Sequence, residues 1–502
     1  MAVLETKRLK RNTITSIVLQ ITTIINGFFL PRLILKAFGS DVNGLVNSIS
    51  QFLSMISFLE LGVGSVVQSA LYQPLAHRDF LQVNRIVTSA GKFFRKLAYI
   101  LVIYVMFLVF VYPFFVNQDF DTLYSATLIL IMGVSSFAQY YFGLVDGIFL
   151  IADQRGYIYH IVQIVTLVLN TLLCVFLVQT GGSIQAVKLM TSCVFLLRPI
   201  IIRKYVNKRY NINRKEHYDI EPIQQKWNGV AQHIAAIILD STDTVILTLF
   251  SNVKYVSVYS VYNMVIMGVR QLIIAACTSV SSFWGRLLAR NEMDELKESF
   301  AWTEWLTHTA TILLFGCTMV LIVPFVMVYT NGVYDINYCQ PIFAVLLTWA
   351  GAFRCIRLPY NCMIISGGHY KQTQDNYIVA AILNLVLSIL LVIKYGLIGV
   401  AVGTLAALFY QTIWMAGYIS KNLICWPMKN FIKQFLVDLL SVILCYIATA
   451  WIPLESFTYL SWVILAIKVF IVWIVIVYFI NFVFYRKWIK KITMFKGRFF
   501  IR

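Results

Sequence analysis

The segment from Gln340 to Gly368 reads QPIFAVLLTWAGAFRCIRLPYNCMIISGG, and the interpretation of the whole chain starts from it. It is apolar and long enough to cross a bilayer, yet Arg354 and Arg357 lie near its middle. Because these arginines are three residues apart, a helix places them on one face, and Pro359 predicts a kink just beyond them. A charge at that depth costs roughly 2.5 to 3.5 kcal/mol against lipid. We therefore predict that both arginines line a wet or protein-enclosed cavity.

The composition of the chain indicates a membrane protein. Hydrophobic residues make up 60% of the 502 residues, only 13% are charged, and the mean hydropathy is +0.77. These values exclude a soluble globular protein and predict an all-α polytopic membrane protein. The formal net charge is +19, but the basic residues fall in short segments between apolar runs, so nucleic acid is not predicted as a partner. The nine cysteines and six histidines show no metal-ligand spacing, so no metal site is predicted.

Fourteen apolar segments are predicted to be transmembrane helices. They are residues 12–38, 43–71, 97–116, 122–150, 158–178, 184–202, 228–250, 255–283, 303–329, 341–366, 376–395, 397–419, 434–452 and 460–485. With both termini in the cytoplasm, 31 lysines and arginines lie on the cytoplasmic side and 4 on the opposite side, namely Lys36, Lys188, Lys254 and Lys394. Because cytoplasmic loops carry an excess of Lys and Arg, this distribution predicts that both termini are cytoplasmic.

An internal repeat predicts two lobes of six spans each. Aligning each residue with the one 212 positions later pairs FGSDVNGLVNSI, from Phe38, with FSNVKYVSVYSV, from Phe250. Further on, at an offset of 214, Asn170 aligns with Asn384. Chance similarity between apolar segments is the alternative. The predicted domains are an N-terminal lobe (1–202), a cytoplasmic linker (203–227), a C-terminal lobe (228–420) and a segment with two further spans and a basic cytoplasmic tail (421–502). Pseudo-symmetric lobes of this kind commonly hold substrate at their interface.

Several stretches resemble the bacterial polysaccharide (O-antigen type) lipid-linked oligosaccharide flippases. This family belongs to the MOP superfamily, which also holds multidrug-and-toxin extrusion (MATE) transporters and the lipid II flippase. The stretches are LKAFGSDVNGLVNSISQF, SFLELGVGSVVQSALYQPLA, DGIFLIADQRGYI, ILDSTDTVILTLF, VYSVYNMV and SGGHYKQTQDNYIVAAILN. The resemblance covers roughly residues 5 to 420 and is spread along the chain rather than confined to one short motif.

The resemblance implies a MATE-like fold and a transport function. The implied substrate is an undecaprenyl-pyrophosphate-linked glycan, exported from the cytoplasmic to the outer leaflet of the bacterial inner membrane with no ATP hydrolysed by the chain itself. Membrane lipids are the implied surroundings, and a polysaccharide polymerase and glycosyltransferases are the implied functional partners. The chain is accordingly expected not to be an enzyme.

Ionisable residues inside the predicted spans are the candidate site residues. Arg270, Arg354 and Arg357, together with Arg32, are predicted to form a cationic centre that contacts the pyrophosphate, because guanidinium groups bind phosphate oxygens bidentately. The alternative is that each arginine is structural and paired with an acid across the lobe interface. Such pairs would hold one conformation and release when substrate competes for the arginines.

Four acids inside the spans are candidates for ion coupling or inter-lobe pairing. They are Glu60, Asp146, Asp240 and Asp243. Intramembrane carboxylates commonly carry coupling ions, so a proton or a sodium ion is the expected coupling species, and no bound cofactor is expected.

Three alternative functions remain open at the level of the sequence. A cation-coupled multidrug exporter of the MATE type usually needs an acidic cavity, which three mid-span arginines disfavour. Lipid II transport is a second alternative. A membrane polymerase or glycosyltransferase is the third, although the chain has no GxxxxGK[ST] loop, no HExxH and no long outer loop for such chemistry.

Overall fold

The computed structural model of the protein describes residues 2–60, 63–116, 120–210, 212–223 and 230–490. Within these ranges the chain is α-helical and contains no β-strand. The helices are α1 (Ala2–Ser54), α2 (Val63–His77), α3 (Phe80–Val116), α4 (Thr122–Ala138), α5 (Leu144–Ala152), α6 (Gly156–Gln179), α7 (Ile184–Arg209), α8 (Val230–Phe250), α9 (Val253–Ala289), α10 (Met293–Tyr329), α11 (Pro341–Ile356), α12 (Leu358–Ser366), α13 (Tyr370–Tyr395), α14 (Leu397–Asn422), α15 (Met428–Thr449) and α16 (Tyr459–Phe484). A 3₁₀ segment, Met55–Glu60, follows α1, and a π-helical segment, Gln139–Gly143, joins α4 to α5.

The helices agree with the predicted polytopic membrane architecture. Twelve helical segments in the described residues are long and apolar enough to cross a membrane. Fourteen spans were predicted, and two of them have no separate segment among these twelve. Span 43–71 corresponds to a broken segment made of the end of α1, the 3₁₀ segment and α2, and span 228–250 corresponds to α8. Several helices extend well beyond the apolar segments, because hydropathy marks only the membrane-embedded part of a helix whereas polar residues also continue its hydrogen bonds. Most of the basic tail predicted after the last span lies outside the described residues.

Helix α1 is interrupted where the sequence analysis separated its first two spans. Gly39 has a φ of +81° and a ψ of 178°, a conformation outside the helical region that glycine adopts readily because it has no Cβ. The chain therefore changes direction at Gly39 and continues as a second helical segment as far as Ser54.

The predicted kink near Pro359 is confirmed. Helix α11 ends at Ile356, α12 begins at Leu358, and Arg357 lies at the break between them. Proline has no backbone N–H, and its ring clashes with the carbonyl four residues earlier, so the helix cannot continue straight. The two predicted site arginines of this segment consequently lie in the last turn of α11 and at the break itself.

The chain divides into two compact units. Unit 1 comprises residues 1–237 and 252–257, and unit 2 comprises residues 238–251 and 258–502. Most of the predicted linker, 203–227, therefore belongs to unit 1: α7 continues as far as Arg209, and the Asn213 backbone makes hydrogen bonds with the α3 side chains of Thr88 and Asn84. In unit 2, Gly316 of α10 lies against the indole of Trp473 of α16, so the last helix packs closely onto this unit.

Candidate functional site

Asp240 of α8 is the residue that connects two of the predicted arginines. Its Oδ1 forms an ion pair with Nη1 of Arg354 on α11, and its Oδ2 lies 3.5 Å from Nη2 of Arg270 on α9. Arg354 also donates a hydrogen bond from Nη2 to the backbone carbonyl of Leu239, at 3.2 Å. Three helices of unit 2 therefore bring two guanidinium groups onto one carboxylate.

These charged groups line a small cavity of about 50 Å³ within unit 2. The Asp240 side chain is 40% exposed, whereas those of Arg270 and Arg354 are 17% and 12% exposed, so solvent reaches the carboxylate more readily than the guanidinium groups. The remaining lining is contributed mainly by Leu239, Asp243, Tyr259, Asn263, Ile266, Met267, Leu347, Ala350, Gly351, Thr404 and Leu408. The lining is therefore about half polar, and polar groups that converge on a cavity are a usual feature of a ligand site.

Arg357 differs from the other two arginines in its contacts. Its Nε and Nη1 atoms are buried and have no hydrogen-bond partner among the described residues. Its guanidinium carbon lies 5.9 Å from the ring centroid of Tyr377, at the limit of a cation–π contact. Buried polar groups in proteins are normally hydrogen-bonded, so a guanidinium with unused donors is an unusual feature and a candidate for binding an anion.

Asp243 lies one turn beyond Asp240 on α8, in a different environment. Its carboxylate accepts hydrogen bonds from the hydroxyl groups of Tyr259, at 2.9 Å, and Thr404, at 2.6 Å. Asn384 of α13 donates to the Thr404 hydroxyl at 2.9 Å, while its own Oδ1 is buried without a hydrogen-bond partner among the described residues. Asp243 itself is only 4% exposed. This cluster of oxygen atoms therefore surrounds one buried carboxylate.

The other three predicted site residues lie in unit 1. Arg32 is a partly buried residue of α1, and Glu60 ends the 3₁₀ segment. Asp146 of α5 is 1% exposed and forms an ion pair of 2.7 Å with Arg214 from the predicted linker. The structure therefore groups Arg270, Arg354, Arg357, Asp240 and Asp243 in unit 2, and Asp146 has a cationic partner within its own unit.

Several polar residues at or next to the cavities were not predicted from the sequence. Thr404 and Asn384 were not predicted as site residues, because an isolated Thr or Asn in a transmembrane segment is usually explained by helix packing. Lys188 was predicted to lie on the outer side. In unit 1 it lines a cavity of about 440 Å³ together with Ser50, Ser54, Ser57, Ser135, Ser136, Gln139, Tyr140, Thr191 and Ser192. Only the recurrence of serine along 50–57 signalled this polar surface.

A scan of the sequence against protein-family models found no match, and a search of curated proteins found none either. Solved structures, in contrast, are similar in fold. A structure of the lipid II flippase MurJ in an inward closed conformation has a TM-score of 0.70 at 15% identity, covering 94% of this chain and 100% of that chain.

Two drug transporters are also similar. An inward-facing multidrug resistance MATE family transporter of the MOP superfamily has a TM-score of 0.58 at 13% identity, covering 80% of this chain and 94% of that chain. A structure of the MATE multidrug transporter DinF-BH has a TM-score of 0.59 at 14% identity, covering 84% of this chain and 97% of that chain. The chain is therefore a multi-pass membrane protein with the fold that these lipid and drug transporters share.

Proposed function

We propose that this chain is a flippase that moves undecaprenyl-pyrophosphate-linked oligosaccharide units across the bacterial cytoplasmic membrane by alternating access. The observation that carries the proposal is the set of three arginines in unit 2, of which Arg270 and Arg354 share the single carboxylate of Asp240 and Arg357 keeps unused donors. The donors of these guanidinium groups need negatively charged oxygen acceptors, and a pyrophosphate group supplies them. Arg32 of unit 1 is proposed as a further substrate contact.

Competition for the arginines provides a mechanism for binding and release. Asp240 occupies donors of Arg270 and Arg354 in this structure, so an arriving pyrophosphate must share or displace this carboxylate. Release of substrate lets the carboxylate return, which keeps both guanidinium groups paired when no substrate is bound. Membrane lipids surround the protein in this scheme, and glycosyltransferases and a polysaccharide polymerase act before and after it.

Lipid II transport is the second candidate function. The lipid II flippase structure described above matches almost the whole length of this chain. The two candidates differ in the group attached to the carrier lipid, whereas the arginines would recognise the phosphate groups. A cation exporter is disfavoured because Asp240, the half-exposed carboxylate of the unit 2 cavity, is already paired with two arginines.

The experiment that tests the proposal is a binding measurement on purified protein in nanodiscs. Undecaprenyl pyrophosphate is the probe, undecaprenol is the uncharged control, and native mass spectrometry reports occupancy. We expect the pyrophosphate lipid to bind and undecaprenol not to bind at the same concentration. Equal binding of both lipids would exclude a phosphate-specific site, and transport assays with an O-antigen-type glycan carrier and with lipid II then separate the two candidate substrates.

The Asp240→Asn variant is expected to bind undecaprenyl pyrophosphate about 10-fold more tightly. A neutral amide competes less well for Arg270 and Arg354 than a carboxylate does, and a hydrogen bond to a charged group contributes about 1.5 to 3 kcal/mol. Titration of the lipid against purified variant and wild type measures the change. Asp219→Asn, at a linker position whose side chain is 90% exposed, is the control and should bind like wild type. Unchanged affinity in Asp240→Asn would show that this carboxylate does not compete with substrate.

Asp243 is proposed as the coupling site, with sodium as the ion. The carboxylate, the Thr404 hydroxyl and the unpaired Asn384 Oδ1 are oxygen atoms, the ligand type that hard cations prefer. A cation among them would satisfy the Asn384 oxygen and neutralise a carboxylate whose hydrogen bonds come from uncharged hydroxyls. Proton coupling at Asp243 is the alternative that the test separates.

Sodium is expected to raise the melting temperature of the purified wild type relative to potassium at equal ionic strength. Asp243→Asn should abolish this difference because it removes the charged ligand. Thermal unfolding is followed in detergent in NaCl and in KCl, at neutral and at mildly acidic pH. If the melting temperature of the wild type responds to pH but not to sodium, the coupling ion is a proton. If it responds to neither, Asp243 is not the coupling site.

A further inference from the structure

A second cluster of ionisable side chains lies in unit 2, outside the arginine site. Glu304 and His308 come from α10, Tyr360 from α12 and Asp438 from α15, and none of them is more than 4% exposed. Neither Glu304 nor Asp438 was among the intramembrane acids predicted as site residues. Two carboxylates, one imidazole and one phenol are therefore buried together where three helices meet.

Hydrogen bonds connect these side chains into a single chain. The Asp438 Oδ2 lies 2.6 Å from Nδ1 of His308, whose Nε2 lies 3.4 Å from the Tyr360 hydroxyl. Tyr360 in turn donates to Oε1 of Glu304 at 2.5 Å. The imidazole is thus the central group, with a carboxylate reached directly on one side and through a phenol on the other.

The direction of these hydrogen bonds determines where the protons lie. A phenol has one hydrogen to donate, and Tyr360 donates it to Glu304, so towards Nε2 of His308 the phenol oxygen acts as an acceptor. An ionised carboxylate has no hydrogen, so Asp438 accepts from Nδ1. With both carboxylates ionised, both ring nitrogens of His308 are donors, which is the hydrogen-bonding pattern of the protonated imidazole.

We propose that Glu304, His308, Tyr360 and Asp438 form a proton-binding site in which the imidazole of His308 holds one proton between two buried carboxylates. The positive imidazole offsets one of the two negative charges, and two uncharged donors support the carboxylates. Gln434 donates to Asp438 Oδ1 at 3.0 Å, and Trp426 donates to Glu304 Oε2 at 2.9 Å. Loss of the proton would leave two negative groups in an apolar interior with no positive charge between them, which is costly.

Two further aromatic side chains, Trp426 and Tyr485, border the cluster. Trp426 lies in the loop between α14 and α15 and is only partly buried, so the Glu304 end of the chain is adjacent to a surface loop. Tyr485, just beyond α16, interacts electrostatically with Asp438 and Glu304, and Lys433 lies on its ring at 5.0 Å from the centroid. The α14–α15 loop therefore contacts the cluster directly through Trp426.

Proton occupancy has a structural consequence for the neighbouring helix break. Tyr360 is in the first turn of α12, three residues beyond Arg357. The protonated imidazole ties this turn to α10 and α15 through the Tyr360 hydroxyl, and deprotonation of Nε2 removes that hydrogen bond. Tyr360 keeps its hydrogen bond to Glu304 of α10 in either state, so the proton adds a second tie between α12 and the His308–Asp438 pair, next to Arg357. This link to Arg357 rests on the proposed function, whereas the proton site itself does not.

Nitrogen NMR of histidine-labelled protein tests the proposal directly. The full chain is labelled with ¹⁵N at the six histidines, and spectra are recorded at about pH 7.5, where an exposed histidine is mostly neutral. A protonated ring gives two ¹⁵N resonances close together, whereas a neutral ring gives two widely separated ones. We expect the protonated pattern for His308. A neutral His308 would overturn the proposal.

Two variants complete the experiment. His308→Gln identifies the resonances of this residue by their disappearance, and if that variant does not fold, Gln variants of the other five histidines identify His308 by elimination. Asp438→Asn removes the carboxylate partner and is expected to convert His308 to the neutral pattern at the same pH. Asp294→Asn, at an exposed position in the first turn of α10, is the matched control and should leave the pattern unchanged. A protonated ring that persists in Asp438→Asn would exclude Asp438 from the site.

Discussion

The Arg357→Met variant is expected to lose binding of undecaprenyl pyrophosphate by about 100-fold, because charge-assisted hydrogen bonds contribute about 1.5 to 3 kcal/mol each. The free energy of unfolding of this variant, in contrast, should stay the same or rise. Arg357 is buried with unused donors at Nε and Nη1, and a buried charge without hydrogen-bonding partners is costly, so an apolar side chain of similar size should be stabilising. Lipid titration and thermal unfolding of the same purified preparation measure both effects.

Two further variants separate the charge of Arg357 from its geometry. Arg357→Lys keeps a positive charge but loses the planar fork, so its affinity should fall between those of the wild type and Arg357→Met. Arg290→Met removes an arginine whose side chain is 70% exposed, and it should leave both binding and stability unchanged. Arg357→Met with wild-type affinity would remove this residue from the substrate site, and a large loss of stability would show that its role is structural.

The Gly399→Leu variant is expected to yield almost no folded protein. Gly399 and Gly403 of α14 are four residues apart, the spacing that lets transmembrane helices approach closely. A Cβ at Gly399 would lie 2.4 Å from the backbone carbonyl of Leu391 on α13, and a backbone contact cannot be relieved by turning a side chain. The overpacking cost should be about 3 kcal/mol or more. Size-exclusion chromatography of a fluorescent fusion measures the folded fraction.

Gly417→Leu is the matched control on the same helix. A Cβ at Gly417 meets nothing within 4 Å, so this variant should give a wild-type elution profile. The comparison removes helix propensity as an explanation, since both substitutions replace a glycine of α14 with leucine. Normal folding of Gly399→Leu would mean that α13 and α14 can separate without loss of the fold. Because Asn384 and Thr404 belong to these two helices, a partly folded variant should also lose the effect of sodium.

The helical architecture was predictable because it depends on local properties of the sequence. Apolar runs locate the membrane-embedded parts of the helices, and Pro359 locates the break between α11 and α12. The same signals fail at helix ends: α3 begins at Phe80 although its apolar run starts near residue 97, since polar residues continue a helix without any change in hydropathy. Glu304 and Asp438 were missed for a related reason, because each lies near one end of an apolar run.

The partners of the ionisable residues could not be predicted in this way. Asp240 and Asp243 are close together on one helix, yet one pairs with arginines and the other accepts from hydroxyl groups. Nothing in the local sequence distinguishes them, because the partners come from α9, α11 and α14.

The sequence by itself determined that this is a polytopic helical membrane protein. It also determined where the apolar parts of the helices lie and that unusual charges are buried among them. The tertiary structure alone decided which charges meet: Arg270 and Arg354 on Asp240, Arg214 on Asp146, and His308 on Asp438. Hydropathy and helix-breaking residues act over a few neighbouring positions, so they can be read along the chain. A salt bridge depends on how helices distant in sequence are rotated and packed against each other, and that information exists only in the folded protein.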